Sequence, residues 1–308
     1  MKDSNTNVST EAKIAKSLHR RLNDLMVLQG RTIANQNRMS IVDSLHDAEF
    51  KVFSQFGEDG IIQYLQQLVI KNESEKRFIE FGVENYLESN TRFLLVNNNW
   101  RGLVFDGSRE NIESIKSQEF YWRNDLTAKN AWIDRDNIND LIKSEGFDGE
   151  IGILSVDIDG NDYWVWESIE VVNPIIVIVE WNSLFGDKAA ISIPYSPSFQ
   201  RTEAHFSNLY YGASIAALHH LGEKKGYKLI GSNSAGNNLF FVREDRMGPL
   251  KALSPNDAYV ESKIRESRDE KGDLSFKSRS DREALIKHLP VVDVTTGKHA
   301  TLSDFNGQ

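Results

Sequence analysis

Cysteine is absent from the 308-residue sequence, which excludes disulfide bonds, zinc–thiolate sites, iron–sulfur clusters and thiol nucleophiles. The first 30 residues are polar and lack the apolar core of a signal peptide. No stretch approaches the ~18 consecutive apolar residues of a membrane span. We therefore expect a soluble, cytoplasmic protein without an integral membrane segment.

Basic residues are scarce in the middle of the chain. The formal net charge is −9, and residues 51–245 hold 18 Lys and Arg against 29 Asp and Glu. Such a surface argues against nucleic acid or an anionic membrane as a partner, because both need a basic face. The composition, 40% hydrophobic, supports one large domain with appendages. We place an N-terminal disordered tail and amphipathic helix at 1–45, the domain at 46–245 and a charged extension, packed on the core, at 246–308.

One short segment dominates the domain. An apolar run from Ile151 ends in Asp157, Asp159 and Asp162 with a glycine and an amide between them. Apolar runs bounded by a turn signal indicate buried parallel strands, and ligands collect at the carboxyl ends of such strands. Three carboxylates this close together repel one another, so a cation, a proton or a cationic substrate is expected to neutralise them.

Two earlier strands have the pattern of a nucleoside site. The first carries Glu80, Gly82 and Glu84, and the second ends in Asp106, 24 residues beyond that glycine. An acid at this point can accept hydrogen bonds from both hydroxyls of a ribose. Asp106 could instead cap the helix that starts at Arg109. The first turn lacks the G-x-G-x-x-G pattern, so a nucleoside without phosphates fits better than a dinucleotide.

A glycine-flanked acidic turn precedes a further helix. Gln55, Glu58 and Asp59 lie in the segment Phe53–Gly60, which suggests a tight loop over a ligand, although Asp59 could simply be an N-cap.

A second β-branched run, from Pro174, ends in Glu180 and Asn182. If its strand lies beside the one from Ile151, then Asp157, Glu180 and Asn182 meet at one edge of the sheet and offer oxygen ligands to a divalent cation. The long connection 183–209 is expected to form a binding lid. His219 lies on the helix after it and is either a packed side chain or a ligand or base.

The two ends of the chain add helices and a hairpin. Ile14, Leu18, Leu22, Leu25 and Leu28 form one apolar stripe, which either packs on the core of the chain or makes a dimer or partner contact. The segments from Tyr227 and Asn238 flank a glycine-rich turn and predict an antiparallel hairpin that completes the sheet.

These motifs together resemble the class I S-adenosylmethionine-dependent methyltransferases. The segments Phe53–Gly60, Phe78–Val83 and Val156–Trp164, and the block from Tyr211 to Gly236, are similar to the FkbM-like group of glycan and natural-product O-methyltransferases. The resemblance covers roughly residues 50 to 245. It implies an α/β fold: a Rossmann-like three-layer sandwich with a mostly parallel seven-stranded sheet ending in an antiparallel hairpin, plus an N-terminal helix and a C-terminal extension.

The resemblance also implies site residues. Glu80 and Gly82 match the first-strand motif that approaches the methionine part of the cofactor, Asp106 matches the ribose-binding acid, and Asn124 or Asp125 falls near the adenine. The full cofactor-binding set is Gln55, Glu58, Asp59, Glu80, Gly82, Glu84, Asp106, Gly107, Ser108 and Asp125. Asp157, Asp159 and Glu180 match the acids that bind magnesium and a sugar diol in some sugar O-methyltransferases of this fold, although Asn182 stands where those enzymes have a second acid. The expected ligands for Mg²⁺ or another divalent cation are Asp157, Glu180 and Asn182.

The implied activity is O-methylation of a sugar hydroxyl in a glycan or sugar-containing metabolite. Asp157 would hold a metal, Asp159 would be the base, and His219 is a further catalytic candidate. The implied acceptor is a small molecule or glycan, and the N-terminal helix could join a second copy or a partner protein. Two alternatives stay open: a metal-dependent nucleotide-sugar glycosyltransferase using the Asp157-x-Asp159 pair, and a non-catalytic binding module. A nicotinamide oxidoreductase is weaker, since the glycine fingerprint is missing.

Overall fold

A computed structural model describes residues 3–38 and 42–305, without the side chains of residues 3–12 and 16. The strands are β1 Arg77–Phe81, β2 Arg101–Asp106, β3 Leu126–Asn130, β4 Gly149–Val156, β5 Val172–Glu180, β6 Ile191–Ser192, β7 Tyr227–Ser232, β8 Asn238–Arg243, β9 Pro290–Asp293 and β10 His299–Thr301. The helices are α1 Asp3–Arg38, α2 Glu58–Val69, α3 Arg92–Asn98, α4 Arg109–Ser117, α5 Glu119–Arg123, α6 Ile138–Ser144, α7 Asp162–Ser168, α8 Arg201–Ala204, α9 Ile215–Lys225, α10 Pro255–Ala258 and α11 Arg279–Ile286.

Seven strands form the main sheet in the order β3-β2-β1-β4-β5-β8-β7. The first five are mutually parallel, whereas β8 runs antiparallel to β5 and to β7. The apolar runs predicted as buried strands are the central β1, β4 and β5, which are covered on both faces and therefore need no polar face. The predicted Rossmann-like sheet with its terminal hairpin is confirmed.

Two apolar clusters make the three layers. One joins the sheet to α6, α7 and α9 and includes Trp166 and Leu218, and the other joins its opposite face to α2, α3 and α4 and includes Leu65 and Ile112. Gly82, Asp106, Asp157 and Glu180, at the carboxyl ends of β1, β2, β4 and β5, belong to neither cluster. The fold therefore brings the predicted acids to one edge.

The C-terminal extension forms a second, smaller sheet. β9 is the central strand of the order β10-β9-β6, because β6 from the long connection pairs with it. A small core that includes Ile191, Ile286 and Val291 joins these segments. The connection after β5 is thereby held over the sheet edge.

The N-terminal helix is longer than predicted. α1 begins at Asp3, so residues 3–9, expected to be disordered, are helical, while residues 1 and 2 lie outside the described chain. No helix in the described ranges combines the length and hydropathy needed to cross a bilayer.

Candidate active site

Three carboxyl groups meet at the ends of β4 and β5. Oxygens of Asp157, Asp162 and Glu180 lie within 4.8 Å of one another. Adjacent parallel strands end at the same edge, which explains why Asp157 and Glu180 converge as expected from the sequence. The group has the residue types and spacing to hold one hard cation or to share a proton.

The third member of this cluster differs from the sequence prediction. Asn182 is turned away: its Nδ2 donates to the carbonyls of Leu209 and Tyr211, and its Oδ1 accepts from the backbone N–H of Leu184. The amide therefore secures the connection after β5 and is not a member of the acid cluster. Asp162 takes its place while also accepting from the backbone N–H groups of Ile158 and Gly160.

Burial and mutual repulsion dominate the electrostatics of the cluster. Burial first, then the charges of Asp159, Asp162 and Glu80, raise the pKa of Asp157 well above its usual value. The pKa of Glu180 is raised for the same reasons, with Asp157 as its strongest charged neighbour. Burial also raises the pKa of Asp162 to about 7, although its hydrogen bonds from the backbone act against the shift. At neutral pH the three groups therefore need a compensating positive charge or a proton.

Arg201 supplies part of that charge, and sequence reasoning missed it. Its Nη1 lies 2.6 Å from Oδ1 of Asp159, its Nε donates to the carbonyl of Asn208, and the guanidinium stacks 4.0 Å from the Tyr211 ring centre. No pattern in the sequence points to this pair, because Arg201 lies 42 residues beyond Asp159. Only the folded connection places Arg201 here. Its ion pair occupies one oxygen of Asp159, the residue predicted as the base.

Compensation by Arg201 is incomplete. Oε2 of Glu180 is buried and has no hydrogen-bond partner among the described residues, and Glu180 as a whole is only 7% exposed. A buried carboxylate oxygen without a partner is costly, and a cation or a bound proton would satisfy it. Because Glu180 belongs to the group of three carboxyl groups, the donor set fits a divalent ion.

The end of β1 brings the backbone close to this cluster. Gly82 has φ +69°, and a Cβ built on it would lie 1.8 Å from the carbonyl oxygen of Asp157. Glu80, buried on β1, accepts hydrogen bonds from the hydroxyls and backbone of the turn at Ser89 and Thr91 and from the backbone N–H of Asn90. The glycine permits close strand packing, and the glutamate orders the facing turn.

A cleft with two lobes runs along this edge. The apolar lobe has a volume of ≈190 Å³ and is lined by Gly82, Glu84, Phe105, Asp106, Gly107, Ala131, Trp132, Ile133, Asp157, Ile158, Asp159, Asn161 and Phe199. The acidic lobe has a volume of ≈300 Å³ and is lined by Gln55, Glu80, Phe81, Gly82, Val83, Glu84, Glu88, Ser89, Asn90, Asp157, Asp159, Glu180, Arg201, Asn238 and Glu266. The lobes share Gly82, Glu84, Asp157 and Asp159, at the ends of β1 and β4, and therefore adjoin each other.

Asp106 lies in the apolar lobe. Its Oδ2 accepts from the backbone N–H of Glu84, and its Oδ1 accepts from the backbone of Ser108 and from Nδ2 of Asn111. The helix cap considered for Asp106 is instead Ser108, whose hydroxyl accepts from the backbone N–H of Asn111. Oδ1 of Asp106 thus accepts two hydrogen bonds, whereas Oδ2 accepts one and retains a lone pair for a further donor.

Several predicted cofactor-binding residues lie elsewhere. Asp125 precedes β3 at the opposite end of the sheet and pairs with Arg101 at 3.7 Å, whereas Ala131 and Trp132, after β3, line the cleft. Glu58 accepts hydrogen bonds from Asn233 and Asn238 of the hairpin and from the backbone of Phe56.

Asp59 caps the preceding turn by accepting from the backbone N–H groups of Val52, Phe53 and Ser54. Gln55 alone of this loop's three predicted residues lines the cleft.

His219 also lies apart from the cleft. Burial lowers its pKa, and its charged neighbours are Glu223, Lys228 and His220 rather than the acid cluster. A separate cavity of ≈390 Å³, between residues 42–46 and the C-terminal extension, contains none of the residues predicted from the sequence. The two-lobed cleft therefore remains the candidate active site.

No family model matches the chain, and no curated protein matches it. Similar solved structures include PKMT2 from Rickettsia typhi in complex with AdoHcy, with 12% identity, a TM-score of 0.40, and coverage of 64% of this chain and 55% of that chain. The O-methyltransferase from Bacillus cereus in complex with SAH has 12% identity, a TM-score of 0.39, and coverage of 71% and 90%. The N-terminal domain of EvdMO1 with SAH bound has 12% identity, a TM-score of 0.35, and coverage of 69% and 94%.

The chain thus spans about half the length of the Rickettsia protein. The assignment of the fold rests on the sheet order of the chain itself.

Proposed function

We propose that the chain is an S-adenosylmethionine-dependent methyltransferase that O-methylates a sugar hydroxyl of a glycan or sugar-containing metabolite. The two adjoining lobes, which lead from Asp106, past Gly82, to the acid cluster, carry the proposal. Oδ2 of Asp106 would accept from a ribose hydroxyl, and the close backbone at Gly82 would border the methionine part. The acidic lobe suits a cationic sulfonium.

The lining favours this cofactor over a nucleotide sugar. The apolar lobe has no Lys or Arg among its described lining residues, and Arg201 of the acidic lobe is held by Asp159. A diphosphate needs cationic partners, so the glycosyltransferase alternative is not favoured.

Proton removal is assigned to Asp159. S-adenosylmethionine, when bound, supplies a methyl group on a sulfonium, and the protein must align an acceptor oxygen and take up its proton. Asp157 is needed as a ligand of the proposed divalent ion, and a cation bound to it would remove the high proton affinity that a base requires. Arg201 pairs with Oδ1 of Asp159, so Oδ2 of Asp159 would take up the proton.

Asp157, Asp162 and Glu180 would hold a divalent ion beside the acceptor. A divalent ion, when bound, would lower the pKa of a sugar hydroxyl. The unpartnered Oε2 of Glu180 supports this part of the proposal. Asn182 is withdrawn from the ligand set, because both ends of its amide are engaged by the backbone.

Calorimetric titration tests the cofactor. Wild-type protein should bind S-adenosylmethionine and S-adenosylhomocysteine but not UDP-glucose. Asp106→Asn should weaken binding by at least ~10-fold, because charge-assisted hydrogen bonds contribute about 1.5–3 kcal/mol each. Asp125→Asn is the matched control at the opposite end of the sheet and should bind normally. Absence of binding by the wild type, or equal loss in both variants, would contradict the proposal.

A further inference from the structure

The first helix packs on the domain through only one of its faces. Val27, Gly30 and Ala34 of α1 turn toward the domain, where Val52 and Phe93 lie. The approach is close: a Cβ on Gly30 would lie 2.5 Å from Cγ2 of Val52. This face accounts for the attachment of the helix without using its leucines.

The opposite face carries an exposed apolar surface. The leucine stripe consists of Ile14, Leu18, Leu22, Leu25 and Leu28, and these side chains are between 50% and 62% exposed. Leu18 precedes the domain-facing Val27 by nine positions, and Leu25 precedes the domain-facing Ala34 by nine. Nine positions are two and a half turns of helix, so each leucine lies on the side opposite its domain-facing counterpart. The stripe therefore faces directly away from the domain. The expectation that it packs on the core of the chain is wrong.

We propose that the leucine stripe pairs with the leucine stripe of a second copy of this chain in an antiparallel two-helix contact. Ile14, Leu18, Arg21, Leu25 and Leu28 follow one another at intervals of four, three, four and three residues, which is the seam of a coiled coil. Because the domain lies behind each helix, two copies can meet through the stripes without their domains colliding.

Charge favours the antiparallel direction. Arg21 interrupts the seam, and a parallel pair would place it against the same arginine of the second copy. In the antiparallel register that sets Leu18 opposite Leu28 of the partner subunit, Arg21 lies beside Leu25 of the partner subunit. Asp24 of the partner subunit directly precedes that leucine in the sequence and offers Arg21 a negative charge nearby. The contact is self-complementary, as a two-fold interface requires.

A lipid surface fits these residues less well. The remainder of the chain is strongly acidic and would be repelled by anionic headgroups. Of the basic residues on α1, Arg20 lies 3.5 Å from Glu119, and Arg31 donates to Asn97, so both serve the domain. Arg21, within the stripe, would have to be withdrawn from the apolar layer.

Light scattering coupled to size exclusion measures the assembly. The full-length chain should have twice its mass of 35.1 kDa. Leu18→Glu/Leu25→Glu should halve that mass without a change in circular dichroism or binding of S-adenosylmethionine. His19→Glu/Asn35→Glu adds the same charge at exposed positions outside the stripe and should remain dimeric. A monomeric wild type, or a double-leucine variant that stays dimeric, would overturn the proposal.

Cross-linking reports the direction, because the chain has no cysteine of its own. Mixing Leu18→Cys with Leu28→Cys should give the mixed disulfide, and neither variant alone should cross-link. Cross-linking of either variant alone would show a parallel pair and refute the register. Flotation with phosphatidylglycerol vesicles is run on the same proteins; stripe-dependent binding by a monomer would assign the surface to lipid instead.

Discussion

Substitution of Gly82 by alanine should separate the ends of β1 and β4. The new Cβ would lie 1.8 Å from the carbonyl oxygen of Asp157, whereas real Cβ contacts are essentially never under 3.0 Å. The backbone would have to move by more than 1 Å, by subtraction of these two distances. That movement would displace Asp157, which is a member of the acid cluster.

Two costs add at this position. The backbone of Gly82 has φ +69°, where a side chain costs about 1–2 kcal/mol. Forcing extra volume into a packed site costs a further ~1–3 kcal/mol. We therefore expect Gly82→Ala to lower the free energy of unfolding by about 2–5 kcal/mol.

Gly146 provides a matched control, because its φ is +68° and a Cβ there meets nothing within 4 Å. Gly146→Ala should lose only the backbone part, about 1–2 kcal/mol. Urea unfolding measures both variants, and calorimetry with S-adenosylmethionine should detect weakened binding for Gly82→Ala alone. Equal destabilisation of the two variants, with normal cofactor binding in both, would refute the close-packing argument.

Two further predictions concern the charge of the acid cluster. Without divalent ions, the free energy of unfolding should fall as the pH rises from about 4 to about 7. Folding raises the pKa of Asp162 to about 7 and that of Asp59 to about 6, so in this range the folded state binds protons that the unfolded state has already lost, and stability falls wherever the folded state binds more protons. Mg²⁺ should restore stability at pH 8 by mass action, and a urea series that is flat with pH and unaffected by Mg²⁺ would contradict this. Arg201→Met should shift this fall in the free energy of unfolding to higher pH, because Arg201 lowers the pKa of Asp157. The same urea series measures the shift, with Arg201→Lys as the control. An unchanged pH profile would show that Arg201 does not act on the acid cluster.

The sequence alone predicted β1, β2, β4, β5 and the β7–β8 hairpin, and the residues at the ends of the four parallel strands. Apolar runs that stop at Gly82, Asp106, Asp157 and Glu180 are local signals, and the ends of parallel strands share one edge whatever the rest of the chain does. The same reasoning misplaced Asp125, because it precedes its strand and so lies at the opposite end of the sheet.

Side-chain direction and distant partners were decided only by the tertiary structure. Asp162 replaced Asn182 in the acid cluster because the Asn182 amide donates to the carbonyls of Leu209 and Tyr211, whereas Asp162, at the start of α7, lies beside Asp157 and Glu180. Arg201 reached Asp159 across 42 residues because β6 and the C-terminal extension hold the connection in place. The exposure of the leucine stripe likewise depended on which face of α1 packs on the domain. The spacing of apolar residues is a property of residues close together in the sequence. The contacts of Asp162, Arg201 and the leucine stripe depend instead on segments whose path is set by packing elsewhere in the chain.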